Sequence, residues 1–291
     1  MALSAASAFS KVWSVITTIF LIISSLINPG EISSSPEVSL ISTNSLSMTN
    51  AMYAGQGITT DGEYYYTSGT MTAVNMHGLA KWDAETLNRL ATNLQAIPDY
   101  FVEDYESNHI GGISYFNGYI YAAVEDVGNI HPLILLYDAE TLEYADICYE
   151  LGTEHLPNGV PWCAVDAQRE LLYCSPFRDV TEIVAFNLND LSFSHTIPLS
   201  CEITRIQGGE VYDTTLYLSY DAQGSVDEAV YAVNPDNGDV KTVFERYLNG
   251  YDNEAEGMTV YPMADGSLFH ILDYDKLFSV NIRHYAWTEQ E

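Results

Sequence analysis

Positive charge is what this chain has least of. Ten Lys and Arg stand against 40 Asp and Glu among 291 residues, a formal net charge of −30 at neutral pH. Nucleic-acid affinity rests on lysines and arginines displacing the counterions of a phosphate backbone, so this composition excludes a nucleic-acid surface. Docking onto an anionic bilayer is disfavoured on the same ground. Cysteine is sparse as well: Cys148, Cys163, Cys174 and Cys201 are all there are, and none of their spacings is that of a zinc site. No Gly-x-Ser-x-Gly elbow leads into a helix, and phosphate-loop and dinucleotide fingerprints are missing. Helical periodicity is weak beyond residue 30.

Long apolar runs are also rare, and the clearest one lies at the start. Lys11 precedes Val12-Trp13-Ser14-Val15-Ile16 through Leu26-Ile27, and Pro29-Gly30 and Ser33-Ser34-Ser35-Pro36 follow. A short positive region, an apolar region and a small-residue exit make the pattern of a secretory signal. The run is roughly 16 residues, short of the ~20 that span a bilayer. No clean small-x-small cleavage site follows it, so an uncleaved membrane anchor stands as the alternative. A buried hydrophobic helix fits poorly with a chain that is otherwise strand-like. The next basic residue after Lys11 is Lys81, which suits export of what lies downstream. The sequence is therefore read as a signal peptide or anchor over 1–30, a linker over 31–37 and one domain over 38–291, secreted or held at the cell surface.

What the chain has in abundance is self-similarity. Trp82-Asp83-Ala84-Glu85-Thr86-Leu87 recurs as Tyr137-Asp138-Ala139-Glu140-Thr141-Leu142. Weaker copies are Phe186-Asn187-Leu188-Asn189-Asp190-Leu191 and Val233-Asn234-Pro235-Asp236-Asn237-Gly238, with a last echo in Val280-Asn281-Ile282. Each copy follows an apolar run, and Asx residues there cap a tight turn. A second series keeps step: Gln56-Gly57-Ile58, His109-Ile110-Gly111-Gly112-Ile113, Trp162-Cys163-Ala164-Val165, Gln207-Gly208-Gly209-Glu210-Val211 and Glu256-Gly257-Met258. An aromatic-rich strand follows each, as in Tyr119-Ile120-Tyr121 and Leu216-Tyr217-Leu218. Small residues opening a strand mark places where backbones approach closely. A period near 50 residues with about four strands per unit is the signature of a β-propeller. The fold class is thus all-β, a propeller of five blades, or six if the N-terminal segment adds more than one strand. The last unit lacks an outer strand, and Val38-Ser39-Leu40-Ile41-Ser42 with Ser45-Leu46-Ser47-Met48 are the natural donors closing the ring.

The cysteines are read within this frame. Cys163 and Cys174 flank a hairpin that turns near Ala167 to Glu170. Counting inward sets their sulfurs opposite one another, which permits a cross-strand disulfide. Two small buried residues on one sheet face is the alternative. Cys148 and Cys201 are expected to be unpaired.

Gly55-Gln56-Gly57-Ile58 with Asp61-Gly62-Glu63-Tyr64-Tyr65-Tyr66-Thr67-Ser68-Gly69 resembles the first blade of the plant and bacterial type of glutaminyl cyclotransferase. Gly208-Gly209-Glu210-Val211-Tyr212 and Val233-Asn234-Pro235-Asp236-Asn237-Gly238-Asp239-Val240 resemble its later blades. The likeness spans most of residues 50–285 and is shared with secreted propellers that carry an Asn-His-Ile-Gly opening. It implies a five-bladed propeller. The chain departs from the cyclotransferase pattern at two places. Tyr66 stands about where that family has the acidic residue of a first-blade Glu-Ser-Thr-Gly, and His109-Ile110-Gly111-Gly112 replaces a second-blade Glu-Gly-Trp-Gly.

Ligands of propellers sit where the loops opening the inner strands converge. The residues there are Gln56, Asn108, His109, Trp162, Arg205, Gln207, Glu254 and Glu256. They differ from blade to blade on a repeated scaffold, as positions serving one asymmetric ligand do. Convergent polar groups beside an aromatic wall suit a small polar ligand, with His109 as donor or proton acceptor, Glu256 as anionic anchor, Trp162 as wall and Arg205 as counter-charge. Bonding of exposed strand-end backbone groups is the structural alternative for any of them. Glu254 and Glu256, two residues apart on a strand, point the same way. They suit a general acid/base pair or a cation such as calcium held with Asn108 or Gln56. The leading reading is an exported propeller binding a small polar molecule or an extracellular partner. A propeller enzyme (hydrolase, lyase or cyclotransferase) and a structural surface protein are the alternatives.

A net charge of −30 favours a soluble monomer and opposes compaction by self-repulsion. The melting temperature is expected to rise with moderate sodium chloride or with calcium, through screening or site binding. A melting temperature indifferent to both salts would contradict this.

Overall fold

The computed structural model describes residues 31–33, 38–46, 50–222, 227–248, 254–275 and 279–287. The targeting or anchoring segment expected over 1–30 lies outside the described residues. Two strands come first, β1 (Glu31–Ser33) and β2 (Val38–Leu46). Among the described residues five antiparallel sheets carry the architecture. Blade one is β3 (Ile58–Thr60), β4 (Tyr64–Met71), β5 (Met76–Asp83) and β6 (Arg89–Asn93). Blade two is β7 (Ser107–Phe116), β8 (Tyr119–Asp126), β9 (Leu133–Asp138) and β10 (Tyr144–Glu150). Blade three is β11 (Ala164–Asp166), β12 (Leu171–Cys174), β13 (Val180–Asn187) and β14 (Phe193–Ile203). Blade four is β15 (Ile206–Tyr212), β16 (Thr215–Tyr220), β17 (Asp227–Val233) and β18 (Val240–Leu248). Blade five is β19 (Glu254–Val260), β20 (Phe269–Asp275), β21 (Ser279–Trp287) and the N-terminal β2. The fold is a five-bladed β-propeller. Among the described residues no helix is long and apolar enough to cross a membrane.

The repeated Asx turns close the outer hairpins of four blades. The Asp83 carboxylate accepts the Thr86 N–H at 2.7 Å, and Asp138 accepts that of Thr141 at 2.8 Å. In each turn the fifth residue donates its N–H back to the first: Leu87 to Asp83, Leu142 to Asp138, Leu191 to Asn187 and Gly238 to Asn234, all at 2.8–2.9 Å. That geometry needs a left-handed φ, which three leucines adopt and the fourth blade supplies with Gly238. Burial of Leu142 and Leu191 offsets the cost of their conformation. The fifth echo is different. Asn281 is fully buried inside β21 and accepts from Ser45 Oγ at 2.5 Å, so it is a strand residue and not a turn. The chance match arises because the third strand of blade five runs on to Trp287 beside β2.

Each neighbouring pair of blades sandwiches its own apolar layer. Tyr66 and Leu79 meet Ile110 and Ala122 between blades one and two, and equivalent clusters fill the other four gaps. Alternation along the strands explains this, since both faces of each blade are covered. Around the axis the backbones nearly touch. A Cβ on Gly57 would lie 2.8 Å from the Gly111 oxygen, one on Gly111 2.2 Å from the Pro161 oxygen, one on Gly208 2.7 Å from Gly257 Cα, and one on Gly257 2.7 Å from Gly57 Cα. Blade three has no glycine at this place. Its Trp162 fills the clearance left by Gly112 and Gly209, since a Cβ on either glycine would lie only 2.7 Å from the Trp162 side chain.

Ring closure follows the expected route, with β2 pairing antiparallel to β21 from Val38↔Trp287 to Leu46↔Val280. The buried pair His270 and His284 supports it: Asn44 Nδ2 lies 2.9 Å from His284 Nε2, the two histidine Nδ1 atoms are 2.7 Å apart, and His270 Nε2 is 2.8 Å from the Tyr261 oxygen. Burial pushes His270 down to about 4, so the pair is neutral at pH 7. Deeper still, Asp273 accepts from Arg246 at 2.8 and 2.9 Å and from Arg283 at 2.5 Å, all three buried. Burial opposes ionisation of Asp273, but the two guanidiniums outweigh it and hold the carboxylate below its usual range.

Two further expectations are corrected. The linker expected over 31–37 is in part a strand: Glu31–Ser33 pairs with β18 from Glu31↔Leu248, because the chain passes the open edge of blade four on its way to close blade five. Cys163 and Cys174 lie on one face of the hairpin, where Ala164↔Tyr173 fixes the register, but all four cysteines are free. The Cys163 thiol turns to the neighbouring blade and lies 3.4 Å from the Tyr121 oxygen. Both thiols are buried among Val165, Leu172 and Val184, which keeps them protonated.

Replacing Gly257 by Ala forces a methyl group into the backbone of blade one, where no flexible side chain can yield. The expected cost is about 1–3 kcal/mol, read from urea unfolding; an unchanged midpoint would show that the blades are not in backbone contact there.

Candidate functional site

The inner strands place their first residues around one end of the central channel. There a recess of about 530 Å³ opens, lined by Gln56 of blade one, His109 and Glu125 of blade two, Gln207 of blade four, and Glu254 and Glu256 of blade five. Asn129, Asn158, Pro161, Phe177, Arg178 and Asp179 complete its wall from the loops. Five of the eight residues expected at the mouth therefore share one cavity. His109 and Glu256, 147 positions apart, stand at the same end, as matched strand openings require.

Three do not line it. Trp162 is fully buried, donates from Nε1 to Ser175 Oγ at 3.1 Å and belongs to the core between blades three and four. It is scaffold, and Phe177 and Pro161 take the place of the apolar wall. Arg205 stands behind the wall. Its Nε donates to the Asp221 carbonyl at 2.9 Å, its Nη2 pairs with the Asp221 carboxylate, and it reaches Glu254 at 3.8 Å. The guanidinium lies 4.9 Å from the centre of the Phe177 ring. Asn108 is half-buried at the start of β7 and does not reach the recess. Irregular register on both sides of His109 turns that side chain inward instead.

The floor combines amides and carboxyls in pairs. Gln56 Nε2 donates to Glu256 Oε1 at 3.1 Å and to the Gly55 oxygen at 2.9 Å. Gln207 Nε2 donates to Glu254 Oε1 at 3.2 Å. Glu256 is only 2% exposed. Desolvation first, then the charges of Glu254 and Asp221, raise its carboxyl well above the usual range, and Arg205 only partly opposes them. Glu254 is raised for similar reasons, with Arg205 and Gln207 pulling the other way. Desolvation pushes His109 down to about 4, so its ring is neutral at pH 7 with one donor and one acceptor nitrogen. Neither nitrogen has a hydrogen-bond partner among the described residues.

Glu125 is the residue that reading the strand openings missed. It lies near the end of the second strand of blade two and is the register partner of His109. The hairpin register carries that signal, because the first residues of an inner strand face the last residues of the next strand. Burial and the neighbouring Asp126 raise the Glu125 carboxyl to about 7, against a bond from the Val160 N–H. Asp126 itself pins the adjoining loop by accepting from Gly128, Ile130 and His131.

Deeper in the channel, Glu210 Oε2 accepts from Thr259 at 3.2 Å and Thr59 at 3.3 Å, and desolvation raises it to about 8. Among the described residues no three His, Cys, Asp or Glu side chains are grouped to hold a metal ion. The Asp236–Asp239 segment spends its side chains locally: Asn237 Oδ1 accepts the Asp239 N–H at 2.9 Å, and Asp236 pairs with Arg169 at 2.9 Å. The recess can thus hold a polar guest by hydrogen bonds and exchange protons near neutral pH through Glu125.

No protein-family model matches the sequence, and no curated protein does. Solved structures do resemble the fold. Glutaminyl cyclase from Myxococcus xanthus superposes with a TM-score of 0.55 at 12% identity, over 87% of this chain and 97% of that one. A structural genomics protein of unknown function from Bacteroides thetaiotaomicron gives 0.47 at 14% identity, over 87% and 64%. A chain of a nidogen/laminin complex gives 0.48 at 14% identity, over 75% and 72%. At 12% identity the likeness to the Myxococcus xanthus structure is one of fold alone.

Proposed function

We propose that this protein binds a small polar ligand in the recess at the mouth of its central channel, and that it does so as an exported or cell-surface propeller. The observation that supports the reading is the convergence of Gln56, His109, Gln207, Glu254 and Glu256, from four different blades, on one cavity of about 530 Å³. The scaffold repeats while these side chains do not, which is the arrangement one asymmetric guest requires. His109 offers one donor and one acceptor, and the amide oxygens of Gln56 and Gln207 offer further acceptors. Phe177 and Pro161 supply apolar wall.

A second reading, catalysis at the same mouth, is favoured by the pairing of His109 with Glu125. A carboxyl raised to about 7 is balanced to give and take a proton at neutral pH. Cyclisation of a glutaminyl substrate, the activity in the name of the Myxococcus xanthus structure, is one reaction such a group serves.

Calorimetry against sugars, amino acids and short peptides tests the first reading. His109→Ala and Glu256→Gln are each expected to weaken binding at least about tenfold, with melting temperatures close to the parent's. A large fall in melting temperature would make them scaffold. Turnover of a glutaminyl peptide that Glu125→Gln abolishes would establish the second reading.

A further inference from the structure

The recess has two carboxyl poles on different walls. Glu254 and Glu256 line it from alternate positions of β19 in blade five, and Glu125 lines it from the end of β8 in blade two. Blades two and five are not neighbours in the ring. Among the described residues the only ion pair at either pole is the one from Arg205 to Glu254, and Arg205 is shared with Asp221. Arg205, beside the blade-five pole, is already committed to the Asp221 carboxylate and touches Glu254 only at 3.8 Å. Asp221 and Asp273 add to the negative field on Glu256, whose one hydrogen-bond partner among the described residues is the Gln56 amide. Tyr274 feels the same two carboxyls. At the blade-two pole, Asp126 adds negative charge beside Glu125. Arg178 does line the recess, but from an exposed loop, next to Asp179 and 5.5 Å from the Phe177 ring.

The remaining features point to the shape of the guest. A cavity of about 530 Å³ is far larger than a single ion needs. The lining also includes Phe177 and Pro161, and the unpartnered His109 ring offers an acceptor for an N–H donor.

We infer that the recess takes an aliphatic diamine or polyamine, one ammonium group docking at Glu254 and Glu256, a second at Glu125, with the methylene chain along Phe177 and Pro161. The inference rests on the ligand-binding reading above and names the chemical class of its guest. An ammonium arriving beside a desolvated carboxyl restores the charge partner that folding withheld. A carboxyl that is protonated in the empty recess gives its proton to the buffer as the pair forms. Binding is therefore coupled to proton release, and it tightens as rising pH ionises the carboxyls while the amines stay charged.

Titration calorimetry of the full chain with putrescine, spermidine, n-butylamine and 1,4-butanediol, at pH 6 and pH 8 and in two buffers of different ionisation enthalpy, tests this. The diamines are expected to bind at least about tenfold more tightly than butylamine, the diol not at all. Protons should be released at pH 6, and affinity should be higher at pH 8. Glu125→Gln should bring putrescine down to the level of butylamine. Equal affinity for putrescine and butylamine, binding of the diol, or a Glu125→Gln variant that holds putrescine as tightly as the parent overturns the inference. If sugars, amino acids or peptides still bind in a His109-dependent manner, the ligand-binding reading survives that failure. If neither panel binds, both fall.

Discussion

Five backbones meeting around one axis is the constraint on which the rest of this molecule depends. At the closest points there is no room for a side chain, so consecutive blades pass Gly57, Gly111, Gly208 and Gly257 against one another's main chains. Where one blade breaks the rule, its neighbours compensate, and Trp162 occupies the space that Gly112 and Gly209 leave. The same convergence decides where function can reside. In blades one, four and five the residue just ahead of the glycine is the first with freedom to carry a large side chain toward the axis, whereas in blade two Ile110 turns into the core and His109, one residue earlier, reaches the recess. Gln56, Gln207 and Glu256 therefore face one cavity although they are far apart in the chain. Scaffold and site are set by adjacent positions of the same strands.

The protein treats its buried charges in two ways. Asp273 is enclosed by Arg246 and Arg283, and that carboxylate stays ionised because its hydrogen bonds and countercharges outweigh its desolvation. The carboxyls of the recess are left short of partners, and desolvation holds them toward the neutral form. The first arrangement ties blade four to blade five. The second makes the recess a place where an incoming charge or proton is welcome. With a total of −30 over the chain, the surrounding field draws cations toward it.

Much of the architecture was legible in the sequence, because a repeat advertises itself. The Asx turns at 83, 138, 187 and 234 and the strand openings marked all five blades, and the deficit of strands at the C-terminal end pointed to the donor at Val38. The fifth turn at Asn281 misled, since three matching residues carry no information about strand length. The site was half legible. Position ahead of a glycine brought Gln56, Gln207 and Glu256 to the recess, but the same rule did not bring Trp162 there, because blade three has no glycine to precede. Arg205 lies just ahead of β15, outside the cavity, and found Asp221 first. Glu125 was invisible to a search confined to strand openings, because its place beside His109 is a property of pairing between strands. The paired cysteines illustrate the same limit: register put them face to face, but the tertiary environment gave the Cys163 thiol a carbonyl of another blade.

The central claim is that the channel mouth is a recess in which desolvation raises the carboxyls above their ordinary range. Carbon-13 NMR titration of the protein labelled at its glutamate carboxyls examines this directly, with Glu125→Gln supplying the assignment. The account requires one carboxyl resonance that titrates near pH 7 and disappears in Glu125→Gln, together with another near 8 from Glu210 deeper in the channel. Glutamates that all titrate close to the ordinary value of 4.5 would contradict it.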